Sequence, residues 1–511
     1  MDGQEEVVAF LSNPANWGDA GSPALPIRTH GSYVFIGRER VLKMKRAVRF
    51  DYMDFGSLER RRACCEAEVT LNRRTAPRLY LRAVPVTREP AGGLALAGAG
   101  EPIEWVVEMR RFQPQGLFDR MAAQGSLTAA LIERLADHIH RFHDVCEVRF
   151  DHGGADEFRH TVEVSLSQCA GFAGETLEPV RVAALRERLL SEVERRRGLL
   201  ETRRAAGFVR YGHGDLHLGN VCLDDGEPTL FDCIEFNEEF AVTDLLYDFA
   251  FLVMDLIEHR LGVLANIALS RYLAYAQDLS QLALMPLFLA VRASIRCHVC
   301  CATAAIQQDT AAASQLRARA KGYLELALAL LKAGPTRLIA IGGLSGSGKT
   351  TLARAIAPLI GAPPGAVVLR SDEVRKAMLG LPLDQPAPPE VYARSGSDAV
   401  YAELRRRAGE ALQAGAAVIV DAVHAQVAER ECIAGVAAKA GVPFTGLWLE
   451  APAPVMAGRI AGRRGDASDA TAQVLDRQLT YDLGPIAWQR FAAGGDLATL
   501  VESARAHLAL R

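Results

Sequence analysis

Between residues 29 and 50 apolar and polar side chains alternate with a period of two, which predicts two antiparallel strands, 32–36 and 40–45, turning at Gly37-Arg38. The pattern then changes. Over 57–74, SLERRRACCEAEVTLNRR, apolar residues fall on one stripe at helical spacing with charges elsewhere, and Pro77 closes the run. Strand-like stretches return at 79–86 and 102–109, separated by the Gly- and Ala-rich segment AGGLALAGAG. From 127 to 332 the spacing is mostly helical, interrupted at 211–235. Beyond the break Ala333-Gly334-Pro335, apolar strands at 337–341, 366–370, 416–420 and 444–449 alternate with helical stretches. That alternation predicts a parallel sheet with right-handed crossovers. The expected organisation is therefore two domains, 1–333 and 334–511, one α+β and bilobal, the other α/β with a parallel sheet.

Composition narrows the functional classes. A chain of 511 residues exceeds what one hydrophobic core serves, and half of its residues are apolar, so each part can be globular. Lysine plus arginine (58) nearly balance aspartate plus glutamate (61), which leaves no basic excess to draw the chain onto nucleic acid or anionic membrane. The start, MDGQEEVVAF, is acidic and lacks the pattern of a secretory signal, so a cytoplasmic location is expected. The apolar runs 245–256 and 282–291 are too short, or interrupted by Asp248 and Asp255, to reach the roughly 20 residues of a bilayer span. Ten cysteines without framework spacing are expected as reduced, mostly buried thiols. Cys297, Cys300, Cys301 and His298 sit in a stretch, 286–305, that reads as continuous helix rather than as a zinc site.

Two motifs carry chemistry. GLSGSGKT, residues 343–350, fits G-x-x-x-x-G-K-[ST] directly after an apolar strand. In such a phosphate-binding loop backbone N–H groups close around a phosphate chain, with Gly343, Ser345, Gly346, Ser347, Gly348, Lys349, Thr350 and Thr351 as the expected nucleotide contacts. Lys349 reaches the β/γ oxygens, and the Thr350 hydroxyl is a candidate Mg²⁺ ligand. Downstream, the strand 366–370 leads into Ser371-Asp372, with Arg375 about one helical turn on. Asp372 stands where ligands of doubly wound sheets bind and is the candidate base; Arg375 is a candidate anchor for an anionic group. Asp421, ending a further strand, is a candidate metal ligand, and RIAGRRGDASDAT supplies Arg459, Arg463 and Arg464 as candidates to close over a nucleotide. These three segments resemble the lid-bearing small phosphate-loop kinases, the gluconate, adenylylsulfate, polynucleotide and zeta-toxin kinase group, over about 337–495.

The second motif is HGDLHLGN, residues 213–220, followed by the strand TLFD and Asp232. A carboxylate, an amide five residues on and a second carboxylate after a strand are the groups that phosphoryl transfer from ATP needs for the acceptor hydroxyl and for Mg²⁺. These residues resemble the catalytic and metal loops of the aminoglycoside phosphotransferase family, relatives of the protein kinases, over about 25–333. The resemblance implies that Asp215 is the catalytic base, that Asn220 and Asp232 ligand magnesium, and that His213 supports the loop. It further implies a strand lysine, with Lys43 favoured over Lys45 on the same face, held by a helix glutamate, Glu68 or, with the helix rotated, Glu66. It also implies adenine contacts from the backbone of 106–110. Glu235, Glu238 and Glu239 after the metal loop are either an acidic lining for a cationic acceptor or solvated charges.

The chain thus resembles bacterial proteins that fuse a phosphotransferase to an ATP-binding phosphate-loop domain. It is expected to use Mg·ATP at two sites and to phosphorylate a hydroxyl of a small molecule, a sugar, aminosugar or related metabolite. The alternatives are a C-terminal kinase of nucleoside or short polynucleotide 5′-hydroxyl ends, or one domain acting as a regulatory ATP-binding module. No membrane partner is expected.

Overall fold

The alternation over 29–50 is realised as the strands Ser32–Ile36 and Arg40–Lys45, paired antiparallel from Ser32 opposite Lys45 to Ile36 opposite Val41. They belong to a six-stranded antiparallel sheet in the order Ile27–Arg28, Ser32–Ile36, Arg40–Lys45, Glu101–Arg110, Tyr80–Arg88, Leu94–Leu96. The computed structural model describes residues 4–50, 53–276, 278–388, 394–462 and 467–510. The chain divides into two units, Met1–Leu127 with Arg141–Gly154 and Thr202–Phe249, and Thr128–His140 with Ala155–Glu201 and Ala250–Arg511.

In the first unit the period of two decides which side chains serve the site. Leu42 and Met44 point to one face, where Val7, Leu11 and Trp17 of the N-terminal segment bury them together with Val84 and Val106. Val41 points to the other, against Cys65 and Val69 of the helix Leu58–Asn72 and against Val107. Lys43 and Lys45 share that second parity and are directed toward the helix. Ser57 caps this helix by accepting the Arg60 N–H at 3.3 Å. The segment 106–110 is not a free hinge. The strand Glu101–Arg110 is central, and Arg40–Lys45 on one side and Tyr80–Arg88 on the other pair with its residues, so their backbone groups are spent within the sheet.

A tight hairpin, Val221–Asp224 with Glu227–Leu230, turns at Asp225 (φ +51°) and Gly226 (φ +81°). Two positive φ values suit the hairpin turns whose twist matches the strands, and Asp-Gly satisfies them at low steric cost. The hairpin brings Asn220 beside Phe231, whose N–H donates to the Asn220 carbonyl at 3.0 Å, so the loops at its two ends lie side by side.

The second unit contains a five-stranded parallel sheet in the order Val367–Arg370, Val418–Asp421, Leu338–Gly342, Phe444–Glu450, Gln489–Ala492. Leu338–Gly342 is buried at every position, as a central parallel strand must be. Ile339, Ile341, Leu352, Ile356, Ile419 and Leu447 form the core between this sheet and the helices Lys349–Ile356 and Leu497–Leu508. The expected mixed α/β and α+β architecture is the one observed. The expected boundary at 333/334 lies between the helix Thr310–Leu330 and the first of these strands, inside the second unit.

The apolar run at 282–291 extends into a longer helical stretch, Ser280–Ile306, long and apolar enough to cross a membrane by composition. It is a core element of this unit, with 72% of its apolar window buried, and Arg292 packs over the Phe251 ring at 4.7 Å. Cys297, Cys300 and Cys301 are buried along it, and all ten cysteines are free thiols.

Candidate functional site

In the first unit the two strand lysines and three acids form one run of alternating charge. Lys43 Nζ lies 2.8 Å from Glu68 Oε1 and 2.5 Å from Asp232 Oδ1. Lys45 Nζ lies 2.5 Å from Glu68 Oε2 and is ion-paired with Glu235. Glu68 is fully buried, and burial by itself pushes a carboxyl up; the two lysines win and hold it at about 2, firmly ionised. Glu66 instead pairs with Arg62 on the solvent side, so the helix presents Glu68 inward. Glu235 is buried against Lys45, with burial raising its carboxyl, and is therefore spent inside the structure. Of the three acids considered as an acidic lining, only Glu238 and Glu239 are surface groups.

The loop with Asp215 hangs from a residue that the motif does not include. Asp248, completely buried on the helix Leu245–Glu258, accepts the N–H groups of His213 (2.7 Å) and Gly214 (2.9 Å) and lies 3.3 Å from His143 Nε2. Gly214 is required there: at φ +84° a Cβ would stand 2.9 Å from the Phe240 carbonyl oxygen. His213 is buried, which lowers its affinity for a proton, and its Nε2 lies 3.0 Å from the Phe231 carbonyl. Asn220 donates its amide to the Asp215 carboxylate and carbonyl, both at 2.9 Å, and His217 Nε2 is 3.3 Å from the same carboxylate. Asp232 adopts φ +63°, a left-handed conformation that aspartate tolerates better than most residues. Its N–H donates to the Tyr80 hydroxyl (3.1 Å), and the next N–H, of Cys233, donates to Asn72 Oδ1 (2.8 Å). Asp248, Tyr80 and Asn72 are residues that motif reasoning missed. The one signal was Asp248, an acid inside an apolar helical run, which is rarely buried without partners.

These groups fit a nucleotide with a hard cation. Asp232 is partly exposed beside Lys43, and Asn220, its nitrogen spent on Asp215, keeps its side-chain oxygen for a ligand; anionic and amide oxygens are the donors that Mg²⁺ takes.

In the second unit the phosphate loop runs from the strand Leu338–Gly342 to the helix Lys349–Ile356. A Cβ at Gly346 (φ +81°) would lie 2.5 Å from the Met456 carbonyl oxygen, so the close turn excludes larger residues. Lys349 Nζ curls back to the Leu344 carbonyl at 3.1 Å, and Ser345 N–H is taken by Gln478 Oε1 at 2.8 Å. Thr350 donates its hydroxyl to Asp421 Oδ2 at 2.5 Å. Arg459 Nη1 reaches the carbonyls of Gly346 (3.4 Å) and Ser347 (3.3 Å). Thr351 lies exposed on the first turn of the helix. Ser347 Oγ is buried within the loop with no protein partner, which is the condition of a hydroxyl that a bound phosphate oxygen would satisfy.

Burial raises the Asp372 carboxyl above the ordinary aspartate value, opposed by Arg370 and by a hydrogen bond from Ser468, and reinforced by the Asp421 charge. Arg375 is buried on the same helix, Ser371–Met378. Asp469 of the SDA stretch accepts from Lys376 Nζ (3.0 Å) and from the Ala387 N–H (2.9 Å). Arg463 and Arg464 lie outside the described residues. Gln478 had no sequence signal, because its role depends on where the helix Ala472–Leu479 packs.

Comparison with known proteins places both halves. A model of the phosphotransferase enzyme family matches residues 61–284, and an AAA domain model matches 338–481. The chain is 31% identical over 486 residues to uncharacterized proteins of Mycobacterium tuberculosis and Mycobacterium bovis, spanning 90% of this chain and 92% of theirs. Among solved structures it is similar to a choline/ethanolamine kinase family protein from Mesorhizobium loti (15% identity, TM-score 0.37, 63% of this chain and 96% of that one). It is also similar to a gluconokinase from Sinorhizobium meliloti (22% identity, TM-score 0.25, 35% of this chain and 94% of that one).

Proposed function

Since the chain belongs to the family that joins a phosphotransferase domain to an AAA-type phosphate-loop domain, it is a kinase with two kinase-like domains, and we propose that each transfers the γ-phosphoryl of Mg·ATP to a hydroxyl of a small metabolite. The observation that carries this reading is Lys43 bridging Glu68 and Asp232 while Asn220 orients Asp215. Bound Mg·ATP supplies the phosphoryl group and neutralises the charge that moves with it. In the first domain, assigned to 1–333, Lys43 binds the phosphates, Asn220 and Asp232 offer oxygens to the cation, and Asp215 accepts the acceptor's proton. In the second, assigned to 334–511, the loop 343–350 with Thr351 cradles the phosphates. There Lys349, Arg459 and Arg463 meet their charge, Thr350 and Asp421 hold the cation, and Asp372 takes the proton. Arg375 anchors an anionic part of the acceptor. Ten free thiols suit the cytoplasm, where thiols stay reduced.

The test is transfer from γ-labelled ATP to pooled sugars, aminosugars, nucleosides and short 5′-hydroxyl oligonucleotides, with the full chain beside Asp215→Asn and Asp372→Asn. Label on a small hydroxyl compound, lost in one variant, is expected and names the domain responsible. Label on oligonucleotide ends would replace the small-molecule reading of the second site. Nucleotide binding without transfer to any acceptor would make the protein a sensor.

Acid sensitivity distinguishes the second site. Because burial raises the Asp372 carboxyl, its carboxylate is lost at a higher pH than that of a free aspartate. The value of kcat/KM at this site, measured with Asp215→Asn silencing the other, is therefore expected to fall on acidification with a midpoint above about 3.9, the ordinary aspartate value. A profile flat down to that pH would remove Asp372 from the role of base.

A further inference from the structure

The edge strand of the phosphate-loop sheet is completed by a helix from far earlier in the chain. Val367–Arg370 is the outermost strand on its side, and edge strands leave backbone groups unpaired. The helix Gly262–Ala274 supplies the partners. Asn266 donates its side-chain amide to the carbonyls of Pro364 (3.2 Å) and Ala366 (2.8 Å), and Ser270 Oγ accepts the Val368 N–H (3.1 Å). Arg407 returns the contact by donating to the Ala274 carbonyl at 2.8 Å.

The same helix sends a charge into the site. Arg271 makes a two-pronged pair with Asp137, at 2.7 Å to each oxygen, and its Nη1 lies 3.5 Å from Glu373. Glu373 lies 2.9 Å from Arg370, whose Nε is 3.7 Å from Asp421 Oδ2, the oxygen that accepts the Thr350 hydroxyl. The side chains of Arg271, Glu373, Arg370 and Asp421 are only 5–7% exposed, so solvent screens these contacts little. Arg370 stands among three carboxylates, closest to Glu373, 3.7 Å from Asp421 and near enough to Asp372 to lower its carboxyl. With Glu373 also compensated by Arg271, Arg370 is shared with Asp421; without Arg271, Glu373 would hold Arg370 alone and draw it from Asp421.

We propose that Arg271 is a positioning residue for the phosphate-loop site: acting through Glu373 and Arg370, it sets where the Asp421 carboxylate and the Thr350 hydroxyl stand. The run Asp137–Arg271–Glu373–Arg370–Asp421 makes residues outside 334–511 part of the support for the cation ligands of that site. This rests on the reading of Thr350 and Asp421 as those ligands.

The experiment uses the full chain with Lys43→Ala, so that nucleotide binding reports the phosphate-loop site. A fluorescent ATP analogue is titrated with and without Mg²⁺. Arg271→Ala is expected to raise the Mg²⁺ concentration needed for half-maximal binding about tenfold, the scale of a lost outer-shell partner, and to leave metal-free binding unchanged. Arg271→Lys, which keeps the charge but loses the fork to Asp137, falls between. An Arg271→Ala protein that keeps its circular dichroism and its Mg²⁺ requirement overturns the proposal. If Arg271→Ala does not fold, Glu373→Gln decides in its place: a raised requirement supports the relay and an unchanged one overturns it. Failure of the underlying reading looks different. In that case the Lys43→Ala chain binds no nucleotide, or binding survives Lys349→Ala, and the proposal falls with it.

Discussion

Asp215→Asn is expected to lower transfer by the first domain by about 10²- to 10⁴-fold, the range that a positioned general base contributes. The substitution keeps the size of the side chain and an oxygen that can still accept from the Asn220 amide at 2.9 Å, so the loop geometry is retained. What disappears is the capacity to accept a proton. The loss should appear in kcat, with the Kd for ATP unchanged, because Lys43, Glu68 and Asp232 are untouched. The measurement is single-turnover transfer to the acceptor found in the screen, in an Asp372→Asn background that silences the second domain. A change in ATP affinity with full kcat would give Asp215 a binding role instead.

Lys349→Ala is expected to cost the second domain about 10²- to 10³-fold in transfer, the scale of removing one preorganised charge from a phosphoryl-transfer site. Its ammonium donates to the Leu344 carbonyl of its own loop, a half-buried group that can turn to water once the side chain is cut back, and its charge also lowers the Asp372 carboxyl. Stability should therefore change little. The check is a thermal melt beside a binding isotherm in the Lys43→Ala background: an unchanged melt with lost Mg·ATP binding is the expected pair. Retained binding would place the nucleotide elsewhere than the phosphate loop and take the phosphate-binding role from Lys349.

How far the site was legible depended on whether each contact is local. Lys43 and Lys45 share a face because strand side chains alternate, a property of the backbone alone. Glu68 was separable from Glu66 only in three dimensions, since a helix of the same sequence could present either, and packing of Cys65 and Val69 against Val107 chooses the rotation. The acids after Asp232 show the opposite error of locality. Glu235, Glu238 and Glu239 look alike as neighbours in sequence, yet one is buried against Lys45 and the others remain at the surface. The segment 106–110 looked free to meet adenine because sequence does not reveal that the strands on both sides use its backbone. The last strand, Gln489–Ala492, escaped for a simpler reason: at the sheet edge only Phe491 is buried, so it carries almost no hydrophobic pattern.

By itself the sequence determined the kinase class of the chain and the fold class of each half. A phosphate loop needs glycines, a lysine and a hydroxyl at set spacing between strand and helix, and the D-x4-N loop before a strand and Asp232 is equally local. Only the tertiary structure decided what holds those groups in place. Asp248 beneath the Asp215 loop, Tyr80 and Asn72 on the backbone of Asp232 and Cys233, and Gln478 on the phosphate loop all act across long sequence separations. A buried polar group must find a partner somewhere, but which partner is settled by packing, and packing leaves no periodicity in a sequence.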